Sequence, residues 1–329
     1  MFLAGCPNIH SDDTLLSLYY YCCSTCDKFN SNDSAACIPQ LCLRRPYYAL
    51  ACFNEVMTEH QKKYFTDTVW DYFAHNGRNT LPWRQGADKD TFAYKVLVSE
   101  MMLQQTQVNR VVIKFEEWMQ RFPTVQAAAN TSFSDCLNIW SGLGYNRRAK
   151  FLHESCKQIV ALHQGNIPQE TTALVSMPGI GVNTAAAIQA YAFNMPVAFI
   201  ETNIRTVYIY HFFKGKNNIN DSDISALVAA TVDTDNPREW YWALMDYGSY
   251  LKRTIGHQNS SSAHYTKQSK FEGSRRQLRG KVLRTLQQKP HTIYQLEKEL
   301  GDDRLREILA TLEKESFIEN TGVVYKISS

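Results

Sequence analysis

The sequence predicts an all-α core of short helices, followed by a small module that combines helices with a β-hairpin. Two observations carry the core. Apolar residues recur at helical spacing from about 57 to 252, and β-branched runs are scarce there, with no repeated strand–helix rhythm. A third carries the module: beyond a polar stretch, three short amphipathic segments precede two short alternating ones around Asn320-Thr321-Gly322.

Each element has its own signal. Phe65, Val69, Tyr72 and Phe73 form one stripe. Leu97, Met101, Val108, Val112, Phe115, Met119 and Phe122 form a second, stopped by Pro123. Further helices are expected over roughly 132–139, 146–163, 170–176, 182–192, 202–213, 222–232 and 237–251. Residues 253–273, centred on Asn259-Ser260-Ser261-Ser262, read as a basic polar linker. Helices over Arg275–Leu286, Thr292–Leu300 and Asp302–Glu315, then a hairpin over Phe317–Tyr325, give residues 274–329 the plan of a winged helix-turn-helix domain. Such a domain usually binds DNA; protein contacts or simple packing are the alternatives.

Composition bounds the rest. With 329 residues, 44% of them hydrophobic and 20% charged, the chain can bury two modest cores. Its formal charge of +3 is too small to name a partner, so distribution matters more. Residues 253–289 hold nine lysines and arginines against one acid, Glu272, which suits a phosphate-tracking segment as well as a solvated linker. No apolar run reaches the ~20 residues of a membrane span. The N-terminus lacks the basic and apolar regions of a signal peptide, so a cytoplasmic location is expected, nuclear in a eukaryote. Seven of the nine cysteines precede residue 57. Cys23 and Cys26 have metal-ligand spacing, but no second pair or histidine cluster completes a site, and His257 and His264 lack a third ligand. No metal is therefore expected. Residues 1–56 are expected to be a disordered leader or start-site artefact, the ordered chain beginning near Met57.

Three motifs carry chemistry. Met177-Pro178-Gly179-Ile180-Gly181 precedes the helix expected from Val182. A Pro-Gly-x-Gly turn between two helices exposes backbone N–H groups at a helix N-terminus, an arrangement that holds a phosphate without reading sequence. Phe199-Ile200-Glu201-Thr202-Asn203 starts another helix: Thr202 is expected as its cap, which places Glu201 at a helix N-terminus where a carboxylate stays ionised. The bland alternative is a Glu201–Arg205 ion pair. Glu100 is flanked by Val, Met and Leu, so it is expected to be desolvated, with a pKa raised into the range of a general acid. One ionised and one protonatable carboxylate can cleave a glycosidic bond through an oxocarbenium-like state.

Leu81-Pro82-Trp83-Arg84, the block Ser99–Val108, Gly142-Leu143-Gly144-Tyr145, Met177–Ala185 and Glu201-Thr202-Asn203 resemble, in order and spacing, the MutY-type adenine DNA glycosylases. The resemblance runs from about Leu81 to Gly248 and implies a two-lobed helix-hairpin-helix glycosylase domain over 57–252. By that resemblance Glu100 protonates the adenine and handles the water, and Glu201 stabilises the sugar cation. Gln104 and Tyr145 wedge into the base stack, and Arg84 lies by the flipped base. Gln105, Pro178, Gly179, Gly181, Asn183 and Asn203 complete the DNA-facing set. The family bends between Gln104 and Gln105, where periodicity alone runs one helix through. The lyase branch of the superfamily carries a Schiff-base lysine at the position of Asn183, and an amide cannot form one, so monofunctional hydrolysis is implied.

Three departures stand out. The family acid at 201 is normally aspartate. The family's iron–sulfur cysteines are missing, with Lys252 about where the first would stand, so no cofactor is expected beyond a monovalent cation at the hairpin. The usual Nudix-like C-terminal domain gives way to the winged helix. The resulting expectation is a monomeric base-excision enzyme acting on double-stranded DNA, removing adenine opposite 8-oxoguanine or guanine. A thymine–guanine glycosylase and a catalytically decayed damage-binding protein are the alternatives.

Overall fold

The computed structural model describes residues 57–328 except 87, 257, 267 and 268. The Cys23–Cys26 spacing and the leader reading of residues 1–56 lie outside them.

Eleven helices build the larger part: α1 (Glu59–Asn76), α2 (Lys89–Leu103), α3 (Val108–Arg121), α4 (Val125–Ala129), α5 (Phe133–Trp140), α6 (Arg147–His163), α7 (Thr171–Val175), α8 (Val182–Phe193), α9 (Thr202–Phe212), α10 (Asp221–Thr231) and α11 (Pro237–Thr254). Most starts are explained locally. Thr58 caps α1 through a reciprocal box with Gln61, and Asp88, Thr124 and Ser132 accept first-turn N–H bonds at α2, α4 and α5. Asn194, in the left-handed conformation at φ 57°, ends α8. Among the described residues no helix is long and apolar enough to cross a membrane.

The helices wrap a continuous core in which Trp118, Trp140, Trp240, Tyr94, Tyr208 and Tyr241 are fully buried. Trp118 Nε1 donates to the Tyr94 hydroxyl at 2.8 Å, which donates to the Phe122 carbonyl at 3.1 Å, whereas the buried Trp240 Nε1 has no partner among the described residues.

The second apolar stripe does not run as one helix. It breaks after Leu103; Gln104 leaves helical geometry, and Gln105 takes φ 55°. Arg148, 6% exposed, explains how the break is held. Its Nη1 donates to the carbonyls of Met101 and Met102 at 2.8 and 2.7 Å. Its Nη2 donates to Thr106 Oγ1 and the Gly144 carbonyl at 2.9 and 3.1 Å. Thr106 in turn donates to the Leu143 carbonyl at 3.2 Å. One guanidinium thus ends α2 and joins the 104–107 loop to the 141–146 loop.

Beyond α11 the chain is not a free spacer at once. Asn259, 6% exposed, donates to the Thr202 carbonyl and Thr206 Oγ1 at 3.2 and 2.9 Å, and Ser262 bridges Ile219. An amide with two acceptors on α9 outweighs the linker character of its serine-rich surroundings. The C-terminal unit follows: α12 (Arg275–Gln288), α13 (Ile293–Leu300), α14 (Leu305–Lys314), β1 (Ile318–Asn320) and β2 (Tyr325–Ile327). The strands pair antiparallel with Glu319 opposite Lys326. This unit is fastened to α6 by Glu315, whose carboxylate receives Arg147 and Arg279 and whose carbonyl receives Lys150.

Replacing Arg148 with Ala leaves four oxygens short of a buried donor, a cost on the order of 3 kcal/mol. The expected outcome is a Tm lower by roughly 5–10 °C in calorimetry. A change within about 1 °C would show that the two loops are held by something else.

Candidate active site

A cavity of about 1120 Å³ opens between α2, α8, α9 and α11. Arg84, Glu100, Gln104, Gln105, Asn183, Glu201 and Asn203 line it. Of the sequence-predicted site residues, Tyr145, Pro178, Gly179 and Gly181 lie outside its lining.

Glu100 projects from the last turns of α2 with its carboxyl enclosed by protein. Burial holds its pKa well above the usual carboxylate range, the charge of Glu201 raises it further, and Arg84 partly opposes both. Glu201 lies at the start of α9 and departs from the expected arrangement. Glu201 itself is the N-cap and Thr202 is the first helical residue. Its side chain makes no capping bond, and burial pushes its carboxyl up to about 7. The helix end therefore does not keep it ionised across the neutral range: desolvation outweighs a terminal dipole worth about 1 kcal/mol. The alternative ion pair is also absent, since Arg205 binds Asp221 through Nε and Nη2 at 2.8 and 2.7 Å. Burial raises both carboxyls, and the charge of Glu201 adds to the rise at Glu100, so the two titrations are linked.

Arg84 is on the wall but its fork is already used. Its Nη1 and Nη2 donate to Asp246 at 2.9 Å each, and its guanidinium sits 5.0 Å from the centre of the Trp242 ring. Asp246, 2% exposed, also takes the Arg78 backbone N–H and Nε, each at 2.7 Å. What Arg84 offers the cavity is its charge and ring-stacked plane; its Nε has no hydrogen-bond partner. Sequence reasoning missed Asp246, although an acid inside the apolar run of an amphipathic helix is a signal for a buried pair. It also missed Tyr191, a buried ring at the end of the alanine-rich α8 whose hydroxyl feels both carboxyls.

The hairpin turn has two different glycines. Gly179, at φ +76°, is packed so closely on Phe151 and Met101 that a Cβ would collide. Gly181 caps α8 and faces open space. The first-turn N–H groups of Val182, Asn183 and Thr184 have no helical acceptor, and Asn183 is exposed where the turn meets the cavity. Gln104 and Gln105 form the cavity rim. Tyr145, at φ 47°, follows Gly142 and Gly144 in the loop that Arg148 holds, and its hydroxyl accepts from Arg276 of α12 at 2.8 Å. Of the basic stretch, Arg275 pairs with Glu307 and Arg279 with Glu315, so part of that charge is spent inside the protein.

Residues 98–229 match the HhH-GPD superfamily of base excision DNA repair proteins. The adenine DNA glycosylase of Buchnera aphidicola subsp. Baizongia pistaciae is 32% identical over 191 residues, covering 57% of this chain and 52% of that protein. The adenine DNA glycosylase of Mycolicibacterium smegmatis is 32% identical over 230 residues, covering 64% of this chain and 76% of that protein. The chain thus spans about half the length of the first of these relatives. Among solved structures, a thermostable thymine-DNA glycosylase superposes with a TM-score of 0.51 at 22% identity, over 58% of this chain and 87% of that one, which identifies the fold.

The raised Glu201 has a pH consequence. Between the ordinary value of 4.5 and about 7, the native carboxyl holds a proton that the unfolded one has lost, so stability falls as pH rises through that window. Glu201→Gln removes this penalty. Its Tm relative to the unsubstituted protein should be several degrees higher at about pH 8 than at about pH 5. An equal difference at both pH values would mean the carboxyl is not desolvated.

Proposed function

The chain belongs to the family of adenine DNA glycosylases in the helix-hairpin-helix superfamily, and we propose that it excises adenine mispaired with 8-oxoguanine or guanine by hydrolysing its N-glycosidic bond. The observation that carries this reading is the pair of enclosed carboxyls, Glu100 and Glu201, in a cavity bordered by a hairpin suited to a phosphate. Duplex DNA binds through the N–H groups after Gly181, with Pro178 and Gly179 shaping the turn. The adenine is flipped into the cavity, Gln104, Gln105 and Tyr145 fill the vacated stack, and Arg84 flanks the extruded base. Glu100 donates its proton to the base, turning it into a leaving group. Ionised Glu201, with Asn203 beside it, stabilises the sugar cation until water adds.

The family's iron–sulfur cluster does not fit these residues. Its usual segment carries Lys252 and no cysteine. The two cysteines among the described residues are buried, and the Cys136 thiol is pushed up to about 12, far from the thiolate a metal needs. Asn259 fastens the segment after α11 to α9 through the Thr202 carbonyl and Thr206 Oγ1. We read the C-terminal unit as a winged helix that extends the DNA contact, supported by its order of three helices and a hairpin beside Tyr145.

The test measures free base released from duplexes carrying adenine opposite 8-oxoguanine, adenine opposite guanine, and thymine opposite guanine. Adenine release from the first two is expected, and Glu100→Gln should cut it at least about 100-fold while gel-shift binding persists. Thymine release alone would overturn the adenine assignment, and binding with no release would overturn the enzymatic reading.

A further inference from the structure

The expectation of lysine-free chemistry rests on Asn183, yet the cavity holds one lysine among its described lining residues, Lys252. Its placement follows from α11. Gly248 lies against α9 so tightly that a Cβ there would overlap the Asn203 carbonyl. Without a side chain at 248, the helices approach closely, and the residue one turn on, Lys252, is delivered to the same face. Its Nζ donates to Asn203 Oδ1 at 3.3 Å, two residues from Glu201. No carboxylate among the described residues forms an ion pair with it.

We propose that Lys252 is a catalytic amine that captures the aldehyde of an abasic site and gives this enzyme a β-lyase activity. This activity would act on the product of the proposed excision, on the same walls of the same cavity. Hydrolytic loss of the base leaves a sugar whose ring-opened form carries an aldehyde at C1′. The Nζ lone pair adds to C1′, and the C1′ oxygen departs as water, giving a protonated imine. The imine acidifies the 2′ carbon; a 2′ proton passes to a cavity carboxylate and the C3′–O bond breaks, expelling the 3′ phosphate. Water then hydrolyses the imine and returns the amine. No oxidant or other co-reactant is required.

Two features suit Lys252 to this step. Burial lowers its pKa, enlarging the fraction present as the free amine that a carbonyl requires. Among the described residues its hydrogen bond is to a neutral amide oxygen, which orients the group without locking it as a charged partner. Asn183, by contrast, cannot form an imine from the hairpin.

The decisive experiment incubates the full chain with a duplex containing a preformed abasic site, adds sodium borohydride, and maps the reduced adduct by peptide mass spectrometry. Starting from the abasic site separates this proposal from base excision, which can fail or succeed on its own. The expected result is a covalent adduct on Lys252, strand cleavage without alkali, and at least about a 100-fold loss of adduct in Lys252→Arg. That variant keeps a cation beside Asn203, and its Tm should match the unsubstituted protein. Duplex binding without adduct, an adduct mapped to another amine, or undiminished trapping by Lys252→Arg would each overturn the assignment.

Discussion

Asp246 accepts four hydrogen bonds from two arginines while almost no part of it meets solvent. Burying an isolated carboxylate is prohibitive, and the geometry here is of the kind that compensates: a two-pronged fork from Arg84 and a backbone plus side-chain contact from Arg78. Burial alone would raise the Asp246 pKa, yet the arginines bring it below its usual value. The consequence is positional. The turn over Leu81–Gln85 is bound to α11, and the Arg84 fork is spent on Asp246. Arg84 therefore offsets only part of the burial that raises the Glu100 pKa.

A second constraint governs the cavity rim. Gln105 and Tyr145 both occupy positive φ, which costs a non-glycine residue on the order of 1 kcal/mol. Such strain persists only where surroundings impose it, and Arg148 and Thr106 tie the two loops across their backbones. The residues suited to entering a base stack are thereby presented as one paired edge. Arg276 adds a hold on the Tyr145 hydroxyl from the C-terminal unit, which couples that unit to the rim.

Periodicity and short motifs revealed the helical core, the hairpin turn and the desolvated character of Glu100, because these depend on neighbours within a turn or two. The same reading ran one helix through Gln104, since the apolar spacing continues across the break; the family resemblance supplied the bend. Arg148 explains how it is held from 44 residues away in sequence, and no local signal reports that. Asp246 was illegible for a similar reason: its partners lie about 160 residues upstream. Lys252 was noticed only as a place where a cysteine was missing. Its face of α11 became apparent once Gly248 was seen against Asn203, a contact that composition cannot express.

The glutamate at 201 joins these threads. At a helix cap, a short acidic side chain folds back onto the first-turn N–H groups, and that contact holds its pKa down. Glutamate has one more methylene, and here its carboxyl makes no such bond. The longer arm instead carries the charge off the helix end into a cavity that already contains Glu100. Two carboxyls in one desolvated space cannot both ionise near neutrality without a cation to share, so their titrations are linked. Arg84 is occupied by Asp246, and Lys252 is held to Asn203 near the same helix end. A carboxyl that burial disposes to take up a proton and an amine that burial disposes to lose one line the same cavity, a combination suited to working on the aldehyde left after the base has gone.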